Sequence, residues 1–563
     1  MIKARQHLST LLSADNIFLG LSLTVIAATI LQTLGNDFIW DDIFLVKEFN
    51  ALGDPAKLLD ILTSSFWKNS SYISQASTDL WRPLTSLLLW VGGGLFAKWT
   101  PGFHLLSVLT AIGAATSLTI LLRTILADKV DAKIPIWLGL IFLAHPMNAE
   151  VMCMVANISD HLTFIFMALN TTVLIRYFLS TGDNRLRPLI TSAILSFLAC
   201  SSKEVGVTTI ATPLLAYLLV MASSNTPPNI KITAVAHWVA SIIPVTAYLL
   251  LRSFVVNKGI LENIHINSDF NLDVIFFGWG QTLWSLIIPV SKGAHIFASN
   301  TQLTDWSLAA AAWIVLMSVV ILSIVKNKIL SIGAIGILVA LILLIPSLLT
   351  VDKFGTSLRF PTRYFHLPLA GLLIAALPLT VRNWSKGMRL AAPIFAILLA
   401  LLSWIRIDEW EDNVSFSYAE VLYNPGSTYE LINLTSAYLR VKAFDEAEKT
   451  LNKIDTKKTA NMPPLYRAKI KSWHGRIELF KYNNNERALK YFESAVKDNP
   501  TDLDAIFDLA ELQAAMGHIK KSLGLLKSAA EAPWFQDYRR AHILKKIARY
   551  KIVPSQVKIA PGR

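Results

Sequence analysis

From Asn16 to Ile407 the sequence returns repeatedly to apolar runs of about twenty residues separated by polar breaks, and this pattern constrains it more than any other feature. A run of that length crosses a bilayer as an α-helix, because a helix satisfies its own backbone donors and acceptors where no water can do so. After Asp408 the runs stop and charged residues crowd in. The composition of the 563-residue chain, 53% hydrophobic and 16% charged, is therefore an average over two regions with different solvents. The predicted architecture is all-α. A polytopic membrane domain over residues 1–410 is followed by a helical-repeat domain over residues 411–563.

Spanning helices are predicted near Ile17–Leu34, Leu105–Ile125, Ile134–Met152, Leu162–Leu179, Leu186–Cys200, Val205–Met221, Ala234–Leu251, Leu308–Val325, Ile329–Leu349, Tyr364–Val381 and Leu390–Ile405, about eleven in all. No small-residue cleavage site follows the first, so it is expected to stay attached. Leu84–Phe96 and Ile275–Val290 are shorter and glycine-bearing, and are expected to lie at the interface or re-enter. With that choice Lys3, Arg5, Arg123, Lys129, Lys133, Arg176, Arg185, Arg187, Lys231, Lys326, Lys328, Arg382, Lys386 and Arg389 fall on one side, as cytoplasmic loops require. A long loop over residues 37–102 and the C-terminal domain then lie on the other side. The net charge of +13 is accounted for by such loops. No soluble basic patch interleaved with stacking aromatics points to nucleic acid. The two cysteines, Cys153 and Cys200, lie in apolar segments, which argues against a disulfide framework, and neither has metal-ligand spacing.

The C-terminal region reads as amphipathic helix pairs. Ala488 of RALKYFESAVKDNP and Ser522 of KSLGLLKSAAEAP are 34 residues apart, and the closing prolines Pro500 and Pro533 are 33 apart. Small residues at helix contacts with that period mark tetratricopeptide repeats, of which about three are expected, the earliest around Ala447. Such a stack presents a concave surface for a protein partner, and the alternative is a cap on the membrane domain.

Ionisable residues close to membrane-helix ends are costly and mark candidate sites. Asp41 and Asp42 in FIWDDIF supply a carboxylate to take a proton from a hydroxyl, or a helix cap. Arg82, before Pro83, holds a phosphate or anchors at the interface. His145, Glu150, Asp160 and His161 surround one turn, with packing the favoured role of His161. Lys203 and Glu204 neutralise one another, or Lys203 meets a phosphate. Arg363, before Tyr364, suits bidentate phosphate binding or snorkelling. The loop-charge topology puts them all on one membrane face. Acids to deprotonate an acceptor and cations to stabilise a leaving phosphate suit glycosyl transfer from a lipid-phosphate sugar.

The ordered series WDD, LWRPLTSLL, FHLLSVLTA, AHPMNAEVMCMVANISDHL, SSKEVGVTTI and TRYFHLPLAGLL, with repeats behind, resembles the transmembrane-and-tetratricopeptide family of O-mannosyltransferases, of the GT-C glycosyltransferase class. The resemblance covers nearly the whole chain. It implies a GT-C-type membrane domain and an inverting transfer of a monosaccharide from a polyprenyl- or dolichyl-phosphate donor to protein Ser/Thr. It implies no metal and no cofactor beyond the donor, with a divalent ion left open. The first-loop acid with the catalytic role falls on Asp41 or Asp42, and Asp41 matches the first acid of the family's motif. Arg82, Lys203, Arg363 and Tyr364 are then expected at the donor phosphate. His145, Glu150, Asp160 and Glu204 are expected to position sugar or acceptor. Asn157-Ile158-Ser159-Asp160 stands where a Gly-Arg-Ala-Asp-like turn is expected, with the acid kept and the arginine absent. The short repeat array and the lack of a retention signal point to a bacterial inner membrane. The site and repeats would face the periplasm, and an exported protein would bind the repeats as acceptor. A lumen-facing protein of the endoplasmic reticulum is the alternative. The competing functions are a transferase acting on a glycolipid or cell-wall glycan, a non-catalytic scaffold, and a transporter, whose inverted repeats and broken midplane helices are not evident.

Overall fold

The structure is a computed structural model. It describes residues 14–49, 51–67, 80–126, 131–180, 186–223, 233–256, 328–348, 357–382, 386–454, 462–532 and 543–548, with short stretches between 280 and 318 and a strand at 352–354. Two compact units separate at Asp412/Asn413, except that residues 353–357 group with the second.

The first unit is helical, apart from short strands. Its main helices are α1 (Ala14–Gln32), α2 (Pro83–Phe96), α3 (Thr100–Leu126), α4 (Lys133–Ala144), α5 (Pro146–Cys153), α6 (Ile158–Leu179), α7 (Leu186–Ser202), α8 (Thr212–Ser223), α9 (Thr233–Val256), α10 (Lys328–Leu348), α11 (His366–Arg382) and α12 (Lys386–Glu409). Among the described residues six helical segments are long and apolar enough to cross a membrane, and the bent pair α4–α5 makes a seventh. Leu308–Val325 falls mostly, and Ile275–Val290 half, outside the described residues. The segment expected as one span over Ile134–Met152 is broken at His145, with a 55° bend between α4 and α5. Pro146 causes the break, since it lacks an N–H and pushes the preceding residue to extended geometry (φ −72°, ψ 135° at His145). Leu84–Phe96 forms α2, shorter than a span, with Pro83 at its first position.

The side chains suit a lipid solvent. Leu21, Leu250, Phe254, Leu398 and Ile405 point outward, while Asn170, Ser192 and Ser196 are fully buried between helices. Asn170 donates to Ser196 across α6 and α7 at 3.0 Å, the small-polar contact by which membrane helices associate. The long loop after α1 folds back onto α2, where Gly53 (φ +82°) meets Gly93. A Cβ on either would fall within 2.5 Å of the other strand of chain, so both positions require glycine. One short strand, His295–Phe297, pairs antiparallel with residues 359–361.

The second unit is a stack of helix pairs. These comprise α13 (Asn413–Tyr423), α14 (Thr428–Arg440) with α15 (Phe444–Leu451), α16 (Pro464–Phe480) with α17 (Asn485–Asp498), and α18 (Leu503–Ala515) with α19 (Ile519–Glu531). The pairs after α13 are the three repeats that the 34-residue period predicts. Ala468, Ala488, Ala495 and Ala505 are fully buried, as the period's small residues require. Ser427, Asn484 and Asp502 cap α14, α17 and α18 by accepting a backbone N–H. Arg476 on α16 makes a buried ion pair with Asp508 on α18 (2.8 Å) and so joins successive repeats.

Candidate active site

Chain leaving α1 is fastened before it reaches the two acids. Asn36 donates through Nδ2 to the carbonyls of Ile407 (3.2 Å) and Trp410 (3.0 Å), and the amide of Asp37 donates to Glu411 (2.7 Å). Phe38 packs edge-on against Phe103 of α3. Trp40 then adopts φ +46°, a left-handed conformation costly for a side chain of that size, of the kind that persists where surrounding contacts over-determine it. It turns the chain into a helical turn that begins with Asp41 and Asp42 and continues as a π-helix over Ile43–Lys47.

The adjacent acids have different environments. Asp42 is fully buried, and its two oxygens accept from the amides of Val155 and Ala156, each at 2.8 Å. Those amides open a short 3-10 helix, Val155–Asn157, so the carboxylate meets the positive end of a helical turn. Burial pushes the Asp42 carboxyl well above the usual carboxylate range; the two amide bonds pull the other way, and Asp41 adds to the rise. Asp41 is half-buried at the head of the same turn.

Glu150 on α5 is buried beside Arg406, in the last turn of α12, at 3.7 Å. Arg406 also pairs with Glu409 and lies 5.6 Å from the Trp410 ring centroid. Cys153 bridges this group to the first loop, its Sγ 3.7 Å from Asn36 Nδ2. Arg406 is absent from the residues that sequence reasoning selects. An arginine one turn from the end of a membrane helix with an acid three positions on reads as an interfacial anchor, and nothing local tells that it is buried.

A second group forms around the turn from α7 into a 3-10 helix over Glu204–Ala211. Lys203 is extended there (φ −157°, ψ 152°), so it and Glu204 take separate partners rather than neutralising one another. Lys203 Nζ lies 2.7 Å from both oxygens of Asp160, a pair nearly closed to solvent. Glu204 receives Arg82 bidentately, the shortest contact being 2.8 Å. Burial works against the charge of Arg82, but Glu204 outweighs it and raises the guanidinium further above its usual value. Lys203 Nζ and the Arg363 guanidinium lie 5.1 and 5.5 Å from the Tyr364 ring centroid. Gly206 allows the turn, because a Cβ there would lie 2.3 Å from the backbone of Ala199.

The structure therefore brings Arg82, Asp160, Lys203, Glu204, Arg363 and Tyr364 together, and sets Asp42 and Glu150 in a neighbouring group around Arg406. Asp160 stands four positions after Ala156, which holds Asp42, about 6 Å along a helix. His145 belongs to neither. It caps α5 by accepting from the Met147 amide on Nδ1 (3.2 Å), and its Nε2 meets the Leu286 carbonyl (3.1 Å). That pairing fixes the Nε2–H tautomer and makes His145 a structural cap. His161 packs against His366 with ring centroids 5.0 Å apart. Among the described residues no group of three or more His, Cys, Asp or Glu side chains is placed to hold a metal ion.

This arrangement is that of a multi-pass helical membrane protein with an acid-and-cation cluster near its helix ends, followed in sequence by tetratricopeptide-like repeats. The tetratricopeptide repeat family model matches residues 479–544. The chain is similar to Protein O-mannosyl-transferase F38B6.6 of Caenorhabditis elegans, 23% identical over 415 residues, covering 71% of this chain. It spans only 56% of that relative's length. The family resemblance read from the ordered motifs is borne out by this relative and by the repeat match. A crystal structure of ArnT from Cupriavidus metallidurans bound to undecaprenyl phosphate aligns over 97% of this chain and 90% of its own, at 12% identity and a TM-score of 0.37.

Proposed function

We propose that the chain is an integral-membrane glycosyltransferase of the GT-C type that moves a monosaccharide from a polyprenyl-phosphate donor to Ser/Thr hydroxyls of an exported protein. The observation that carries this reading is the division of labour between the two first-loop acids. Asp42 has both oxygens committed to backbone amides. Asp41, half-buried at the head of the same turn, takes the general-base role that the family resemblance gives to the first acid of the motif. The likeness to an O-mannosyltransferase over most of the chain supports the same reaction class.

In this mechanism the Asp41 carboxylate accepts the hydroxyl proton as the acceptor oxygen attacks the anomeric carbon. The bond from that carbon to the phosphate oxygen breaks, with inversion, and the electron pair leaves with the polyprenyl phosphate. Arg363 and Lys203, stacked about Tyr364, face the growing phosphate charge, with Arg82 beside them. Asp160 and Glu204 hold Lys203 and Arg82 in position by direct ion pairs. Glu150, paired to Arg406, is a positioning residue for the loop that carries Asp41. The repeats bind the acceptor polypeptide, and the site faces the periplasm of a bacterial inner membrane.

Intact-mass comparison of exported proteins from cells with the wild-type chain and with Asp41→Asn tests the reading. A discrete sugar mass lost from one protein in the variant supports it. Unchanged masses, with the sugar missing from a glycolipid instead, would replace the protein acceptor by a lipid one.

A further inference from the structure

Helix α6, which carries Asp160, opens a cleft with α3 at its far end. Helices α3 and α6 run side by side in the same direction. Thr110 Oγ1 lies 3.2 Å from His161 Nδ1, and Gly113 faces Ile165 one turn further on. Near their C-termini lies a cleft of about 550 Å³ lined by Ile120, Arg123, Thr124, Arg176, Leu179 and Ser180. Arg176 lies sixteen residues along α6 from Asp160, about 24 Å at the helical rise, and Arg123 lies nineteen along α3 from His104, about 28 Å. The hydrocarbon core is about 30 Å thick, so the cleft belongs to the membrane surface opposite Asp41.

Both arginines are exposed, and among the described residues neither has a hydrogen-bond or ion-pair partner. Arg82 is matched with Glu204, and Arg406 with Glu150 and Glu409. Even the half-exposed Arg389 lies 3.8 Å from Asp131. The hydroxyls of Thr124 and Ser180 donate to their own helices, at Ile120 (2.8 Å) and Tyr177 (2.9 Å), which leaves the guanidinium groups as the donors facing the cleft. Each arginine occupies the last turn of its helix, where the carbonyl ends carry partial negative charge that offsets repulsion between the two cations. Ile120 and Leu179 supply an apolar wall beside them. Two guanidinium forks with an apolar wall at the membrane surface match a phosphate joined to a glycerol and acyl chains.

We propose that this cleft binds the phosphate of an anionic membrane phospholipid at the surface opposite the acid cluster. The test uses the full chain, purified and stripped of lipid, with bound species followed by native mass spectrometry. Phosphatidylglycerol, phosphatidylcholine and inorganic phosphate are the probes. The double variant Arg123→Gln/Arg176→Gln is expected to hold phosphatidylglycerol at least about tenfold more weakly than the wild type, through loss of charge-assisted hydrogen bonds. Phosphatidylcholine, whose amine cancels the phosphate charge, should not distinguish the two proteins. Arg123→Lys/Arg176→Lys keeps the charge without the forks and should fall between them. If inorganic phosphate displaces phosphatidylglycerol from the wild type at equal concentration, the cleft takes a soluble phosphate and the lipid assignment is overturned. Equal retention of phosphatidylglycerol by wild type and double variant overturns the site altogether. Melting of each variant in phosphatidylcholine nanodiscs checks the fold. Should the glutamine variant melt early, the lysine variant decides by the same criterion.

Discussion

Lys203, in the turn after α7, places its ammonium 2.7 Å from both carboxylate oxygens of Asp160 on α6, 43 positions away. Burial makes each partner depend on the other. Lys203→Met should leave the Asp160 carboxylate unpaired and cost about 3–5 kcal/mol, seen as a lower melting temperature in detergent. Lys203→Met combined with Asp160→Leu should recover most of that stability, since an apolar pair needs no compensation. Transfer activity should stay lost in both. A single variant that melts like the wild type would show that the pair does not hold the helices.

The two first-loop acids should separate in their effects. Asp41→Asn is expected to lower transfer by about 10²–10⁴-fold, the usual contribution of a general base, without changing the melting temperature. Asp42→Asn keeps one acceptor oxygen but turns an NH2 toward a backbone amide, and should destabilise the protein by about 1–3 kcal/mol. Full transfer in Asp41→Asn alongside a stable but inactive Asp42→Asn would reverse the assignment.

The repeats carry a pH dependence of their own. Burial, with Asp504 adding to it, pushes the Asp502 carboxyl up to about 6. The folded state then binds more protons than the unfolded one from about pH 4 to pH 6, so this group's contribution is most favourable in acid and is lost as pH rises through that window. Asp502 also caps α18 by accepting from the Asp504 amide (3.1 Å), which asparagine does as well. Asp502→Asn should therefore slow hydrogen exchange of α18 at neutral pH and flatten its change between pH 4 and 6. Faster exchange at neutral pH would mean that the carboxylate is needed as such.

Gly206 tests the backbone behind the cation cluster. The Cβ of an alanine there would meet the main chain of Ala199 rather than a side chain able to move aside. Gly206→Ala should cost about 1–3 kcal/mol through overpacking and displace Lys203 and Glu204 together. Lower melting accompanied by lost transfer is expected, and wild-type values of both would show that the turn is slack.

Much of this architecture was legible in the sequence because its signals are local. Apolar run length marks spanning helices, and the spacing of Ala488 from Ser522 marks the repeats. The Pro146 break needed weighing against the apolar run around it, which reads as one continuous span. The candidate site was legible as a set of residues but not as pairings. Lys203 and Glu204, neighbours in sequence, take partners 43 and 122 positions away. His145 resembles a site residue because it lies among polar neighbours, whereas it closes the gap that Pro146 makes in the helix. Arg406 escaped notice because its burial depends on packing that the sequence does not display.

Asn36 reaches the carbonyls of Ile407 and Trp410 across more than 370 positions of chain. During synthesis the acids Asp41 and Asp42 emerge before α2 and every later helix, while the carbonyls that fasten the chain before them emerge only with the end of α12. Assembly of this site is thus a terminal event in the biogenesis of the membrane unit. A chain truncated before residue 407 would present the acids without the anchorage that orients them.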